Sequence, residues 1–258
     1  MANRRTPVIL LPGVVLPAPL AYGALLESLG EDVEAMAKDL ELYAGESPPP
    51  DYTVETEVDG VVRAADDLGF ERFHLVGYSG GGAVALAFAA RHPGRLRSVA
   101  IAEPAWAGNW GQSPEEEALW RRFDALLDAE LSDTELMAAF VEAQLRPGVE
   151  QPPPPAPPPP WMASRPAGIR ALIGAFRTGS IDPESLRRLD RPVYLALGSL
   201  SNPDYWERMS VRLGRVIGDL RVEIYKGRHH FDPPHRAEPE RFATALRSHW
   251  SRADAVPA

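Results

Sequence analysis

The sequence predicts an α/β fold, a mostly parallel, doubly wound sheet with a helical insertion past its middle, and three observations carry that prediction. Short apolar runs recur at 7–11, 73–77, 97–102, 192–198 and 220–226, with 31–40 a weaker strand candidate. Runs that are apolar on both faces and separated by helices belong to parallel strands covered from two sides. Helical stripes fill the gaps: Val54, Val58, Val61, Val62, Ala65 and Leu68 share one face, and similar patterns cover 79–90, 203–217 and 237–250. At 258 residues, 45% of them hydrophobic, the chain can bury one sizeable core, so a single domain with an insertion is expected.

The third observation is where the alternation stops, between 105 and 189. Two capping boxes start helices there, Ser113-Pro-Glu-Glu116 and Ser132-Asp-Thr-Glu135, in which the serine accepts from a first-turn amide and the glutamate reaches back. A further helix is expected over 167–176, and Asp182-Pro183 begins another. The expected division is therefore a core of 1–104 and 190–258 with a helical cap at 105–189. The proline-rich segment 152–160 inside the cap can neither continue a helix nor supply a sheet ladder, so it reads as extended polyproline II. A stiff spacer is the plain role for it, and a ligand for a proline-reading domain is the rarer one.

A net charge of -9, with Lys38 and Lys226 the only lysines, argues against nucleic acid or an anionic membrane surface as partner. The chain has no cysteine, which removes disulfides, thiolate metal sites and a thiol nucleophile. It carries neither a signal-type apolar region nor a run long enough to span a membrane, so a soluble, cytoplasmic protein acting on a small molecule, without cofactor or metal, is expected.

The chemistry gathers at Gly77-Tyr-Ser79-Gly-Gly81, a G-x-S-x-G pattern at the end of a strand and the start of a helix. A strand that turns directly into a helix strains the residue at the bend by about 1–3 kcal/mol, and neighbours lacking a Cβ leave room for it. Ser79 is then held above the carboxyl end of the sheet, and the Gly80 amide, at a helix N-terminus, is placed to bind an oxyanion. A glycine-rich turn or phosphate loop is the alternative, but neither phosphate-loop signature is present.

With these residues in view, the chain resembles the α/β-hydrolase family over nearly everything outside the cap. "VILLPGVVLP" looks like its first core strand and oxyanion loop, and "FHLVGYSGGGAVALAFAARHPGRLRSVAIAEP" like its nucleophile elbow and following strand. "YKGRHHFDPPHRAEPERF" looks like its histidine loop. The resemblance implies Ser79 as nucleophile, His230 rather than the adjacent His229 as base, and the Val14 amide as second oxyanion donor. Of the other histidines, His74 is expected in the core, His92 at the end of the elbow helix, and His235 in solvent.

The family's usual acid after the penultimate strand is absent, because Asn202 stands there and Asp204 opens a helix. Glu103, directly after the strand at 97–102, matches the alternative acid position of some members, and a carboxylate ending a buried strand needs a partner. Glu103 is therefore the expected acid, with Asp204 the substitute. Trp106, Trp110, Trp120 and Trp161 are candidates for pocket walls, although aromatic residues at helical spacing more often pack a cap onto its core. The expected function is hydrolysis of an ester, thioester or lactone through an acyl-enzyme. Carbon–carbon bond hydrolysis, haloperoxidase-like chemistry and a noncatalytic ligand-binding or adaptor role are the alternatives.

Overall fold

The computed structural model describes residues 5–128, 130–150, 153 and 156–255. The first apolar run forms β1 (Thr6–Leu11), which leads through α1 (Ala18–Leu29) to β2 (Val33–Ala37). Then follow α2 (Val54–Asp67), β3 (Phe73–Tyr78), α3 (Gly80–Arg91) and β4 (Leu96–Ala102). Four helices come next, α4 (Pro114–Asp128), α5 (Asp133–Ala143), α6 (Arg165–Thr178) and α7 (Pro183–Arg187). The chain closes with β5 (Val193–Gly198), α8 (Pro203–Gly214), β6 (Leu220–Tyr225), α9 (Pro234–Ala237) and α10 (Pro239–Asp254).

Among the described residues the six strands form one sheet in the order β2-β1-β3-β4-β5-β6, and every neighbouring pair is parallel. The alternation along β1 shows why both faces are covered. Val8 and Leu10 pack with Tyr22 and Leu25 of α1 and Phe242 and Leu246 of α10, whereas Ile9 and Leu11 pack with α2, α3 and α8 on the other side. The chain leaves β1 for β2 on one side and for β3 on the other. That reversal opens a crevice beyond the carboxyl ends of β1 and β3, the place where open α/β sheets receive ligands.

The structure adds two helices that the sequence reading lacks, α1 and the four-residue α9. α1 was not anticipated, because "APLAYGALLESL" has apolar residues on most of its circumference and a glycine in its middle, which blurs the periodic signal. Both capping-box helices form where expected: Ser113 and Glu116 exchange bonds at the start of α4, and Ser132 and Glu135 at α5. Asp182 accepts from the Glu184 and Ser185 amides to start α7. Of the proline-rich segment, residues 152, 154 and 155 lie outside the described residues, while Pro159 has the extended angles φ -66°, ψ 152°. Among the described residues no helix is long and apolar enough to cross a membrane.

At the amino-terminal edge of the sheet, buried His74 bonds Ser98 Oγ through Nδ1 (2.8 Å) and packs, tilted, against Trp250 of α10. Burial lowers its pKa, so the neutral ring serves as a packing residue of the core.

Candidate active site

The bend between β3 and α3 is possible because a Cβ on Gly77 would run into the Gly81 carbonyl, and one on Gly81 into the Leu11 carbonyl. Ser79 takes φ 53° and ψ -117°, a region that non-glycine residues occupy only under constraint. The constraint is visible: the Ser79 amide donates to Ala102 O (3.0 Å), and its carbonyl accepts from the Ala83 and Ala105 amides. Glu103, at the end of the adjacent strand, is the other non-glycine residue with positive φ among the described residues, at 44°. Its amide donates to Ala196 O (3.0 Å) on β5.

These two turns and the loop after β6 meet. His230 Nε2 lies 3.0 Å from Ser79 Oγ, and His230 Nδ1 lies 2.9 Å from Glu103 Oε2. The second carboxylate oxygen, Oε1, accepts from the Gly198 amide at 2.7 Å, so both oxygens of Glu103 have partners. All three side chains are buried. Trp206 of α8 stacks on the imidazole (centroids 4.5 Å apart, planes at 18°) and donates its indole N–H to Pro104 O. Tyr78 packs its ring 5.1 Å from the imidazole and donates its hydroxyl to the His230 carbonyl. The ring is thus held at both nitrogens, on its plane and through its backbone.

The rival assignments are placed elsewhere. His229 Nδ1 accepts from the Phe231 amide (3.1 Å). Asp204 is exposed. Asn202 caps α8 through the Asp204 amide and donates Nδ2 to Ala143 O, while residues 144–146 bridge to residues 200–202. The segment where an acid is usual is thereby occupied in holding the end of α5.

The Val14 amide finds no acceptor among the described residues, and a Cβ on Gly80 would lie 3.8 Å from it. The Gly80 amide is at the first position of α3, where no intrahelical acceptor exists. Both amides are thus left without an acceptor close to Ser79 among the described residues. Beyond them lies a narrow cavity walled by Val14, Ser79, Trp120, Leu172, Phe176 and Tyr205 among others. No Lys, Arg, Asp or Glu among the described residues lines it, and Gln144 is the remaining side chain with an amide.

Of the four tryptophans, only Trp120 reaches this cavity. Trp106 is buried behind the wall, stacked on Phe176 at 5.2 Å. Trp110 lies under Arg212 and Trp161 beside Arg165. Helical spacing gave the apolar side of each segment but not what that side meets. Tyr78 and Trp206, which pack on the His230 imidazole, were not recognised in the sequence; Tyr78 occupies one of the two free positions of the serine motif, and nothing marks Trp206 apart from other core aromatics.

His235 also corrects an expectation. It is fully buried against Tyr22 (4.9 Å) and Tyr78 (4.8 Å), and neither ring nitrogen has a partner among the described residues. Burial, aided by Arg236 and His230, pushes its pKa down to about 3, and burial pushes His249 to about 4. The unfolded chain takes up these protons near pH 6.5 and the folded chain does not. Stability is therefore expected to be insensitive to these groups above pH 6.5. It should fall by about 1.4 kcal/mol per pH unit for each of them as the pH drops below that toward their folded values. Urea midpoints between pH 7.5 and 4 check this, and His235→Phe should make the acid decline shallower.

Over 179 residues the chain is 32% identical to the 2-hydroxymuconate semialdehyde hydrolase of Pseudomonas sp. (strain CF600), covering 62% of each protein. It thus spans about three-fifths of the length of the curated relatives it matches first. A thermophilic esterase from Thermogutta terrifontis superposes with a TM-score of 0.70 at 22% identity, over 96% of this chain and 90% of that one. A membrane phospholipase A described as a bacterial virulence factor gives 0.72 at 23% identity, over 98% and 80%. Identities this low to solved structures show a shared fold. The family match itself covers residues 8–245, from within β1 into α10, and the chain belongs to the Alpha/beta hydrolase family.

Proposed function

We propose that the protein is a serine hydrolase that cleaves a carboxylic ester, thioester or lactone of a small to medium apolar acyl group through an acyl-enzyme. The observation that carries this is the unbroken hydrogen-bonded chain Ser79–His230–Glu103 at the rim of an apolar cavity. Ser79 Oγ attacks the carbonyl carbon while its proton passes to His230 Nε2. Glu103 accepts from Nδ1–H, fixing the tautomer and stabilising the imidazolium without itself taking the proton. The carbonyl oxygen, now negative, receives the Val14 and Gly80 amides, each such donor being worth about 10²–10³ in turnover. Collapse expels the alcohol or thiol, which leaves with the proton from Nε2. Water then repeats the sequence on the acyl-enzyme and restores the serine.

In this reading the 105–189 insertion acts as a cap, since α4, α5 and α6 supply most of the cavity wall. A second reading, carbon–carbon bond hydrolysis, is favoured by the similarity to the 2-hydroxymuconate semialdehyde hydrolase. A muconate carries a carboxylate, and the cavity offers it no cationic side chain among the described residues, which favours a neutral substrate.

A fluorophosphonate probe is expected to label the wild-type protein and to fail on Ser79→Ala. Turnover of p-nitrophenyl esters should rise with acyl length until the cavity is filled. Ring-fission dienoates hydrolysed faster than every ester would move the assignment to the second reading. Absence of labelling in folded wild-type protein would favour a ligand-binding role.

A further inference from the structure

The oxyanion loop between β1 and α1 has Pro12-Gly13 where the support of such a loop is often a histidine, so something else must orient the Val14 peptide. Two side chains from distant parts of the chain bind the two carbonyls that follow it. Tyr43 Oη donates to Val14 O at 2.6 Å, and Arg165 Nε donates to Val15 O at 2.7 Å. The pair is one unit, since the Arg165 guanidinium lies 3.9 Å from the centre of the Tyr43 ring. Gly168, one turn along α6, allows this approach, because a Cβ there would run into the phenol oxygen. The turn carrying Tyr43 is itself fixed by buried Glu57, whose two oxygens accept from the Glu41 and Leu42 amides at 2.9 Å each. Burial pushes the Tyr43 phenol up, so it keeps its proton and donates throughout the working range. Burial lowers the pKa of the nearly fully buried Arg165 from a guanidinium value so high that it remains a charged donor throughout the working range.

We propose that Arg165 and Tyr43 are positioning residues that hold the Val14 amide on the oxyanion, so that α6 of the insertion completes the reactive centre of the sheet. The inference rests on the acyl-transfer reading above. Two successive carbonyls clamped from outside the loop fix the peptide planes on either side of Val15, and the Val14 N–H, in the peptide before them, is separated from the first only by the two backbone rotations at the Val14 Cα. The same helix walls the cavity with Ile169, Leu172, Ile173 and Phe176. One element therefore touches the acyl group and orients the group that stabilises its transition state. Arg170, also on α6, donates instead to the Leu126 and Leu131 carbonyls and provides a control for mere loosening of the helix.

The test uses Tyr43→Phe, Arg165→Met, their combination, and Arg170→Met in the full-length protein, with a p-nitrophenyl ester as substrate and an alkyl boronic acid as tetrahedral mimic. Tyr43→Phe and Arg165→Met are each expected to lower kcat by roughly 10-fold or more, with KM within about twofold. Boronic acid affinity should fall in proportion. The double variant should be little worse than the more damaged single one, because both act through one loop. Arg170→Met should keep the wild-type kcat. The proposal is overturned if the folded Tyr43→Phe protein, which lacks only one oxygen, turns over at the wild-type rate, or if Arg170→Met loses as much as Arg165→Met. A wild-type protein that takes up no fluorophosphonate at Ser79 would instead remove the acyl-transfer reading on which this one stands.

Discussion

Glu103→Gln is expected to leave the fold intact and to lower kcat by roughly 10³–10⁴-fold, with a much smaller change in KM. The reason lies in the two partners of that carboxylate. An amide oxygen can still accept from Gly198 N–H, which keeps the turn. Its NH₂ then faces His230 Nδ1 and forces the proton of the ring onto Nε2, the atom that must receive the Ser79 proton. The base is present but in the wrong tautomer, and the charge that would stabilise an imidazolium is gone. Asp204→Asn, on the exposed start of α8, should change kcat by less than about twofold by the same reasoning. Steady-state kinetics on the two variants, with near-UV dichroism to check folding, decide the acid. Activity that survives in Glu103→Gln and disappears in Asp204→Asn would reverse the assignment.

Arg212→Ala should be the most damaging change to stability away from the reacting groups, at about 3–5 kcal/mol. Arg212 on α8 donates through Nε and Nη2 to Glu116 Oε1 (3.1 and 3.0 Å) and through Nη1 to Trp110 O (2.9 Å), and both charged residues are buried. Removing the guanidinium leaves the buried Glu116 carboxylate and the Trp110 carbonyl without that partner. For a chain of this length the loss corresponds to a fall in Tm of about 6–20 °C. The double variant Glu116→Gln/Arg212→Met removes both charges together and should lose less than Arg212→Ala alone. Calorimetry of the three proteins measures the difference, and equal losses would show that packing rather than the unpaired charge governs the site.

Much of this could be read from the residues. The strands at 73–77 and 192–198 are apolar on both faces, so their burial in a parallel sheet followed from composition alone. The bend at Ser79 was legible because glycines at 77 and 81 have few other uses at a strand end. Glu103 was legible as a candidate, with Asp204 the substitute, through the resemblance to family members with an acid at that position, supported by the need of an acid at the end of a buried strand for a partner. What stayed hidden depends on contacts between distant segments. His235 looks solvated in a polar stretch and is buried only because α1 and β3 close over it, and α1 was itself obscured by its nearly uniform apolar surface. The tryptophans of the insertion show which side of each helix is greasy. Only the packing of α4 against α6 and α8 decides that Trp120 faces the cavity while Trp106 backs its wall.

Tyr78 and Ala102 stand opposite each other in the β3–β4 ladder, one residue before the proposed nucleophile and the proposed acid. Those two groups are therefore riveted to a single plate in the middle of the molecule. The imidazole hangs from an arm beyond β6, a border strand with a neighbour on one side only. Any agent that frees the border would disarm the machinery while the plate, with its alcohol and its carboxylate still in register, stayed whole.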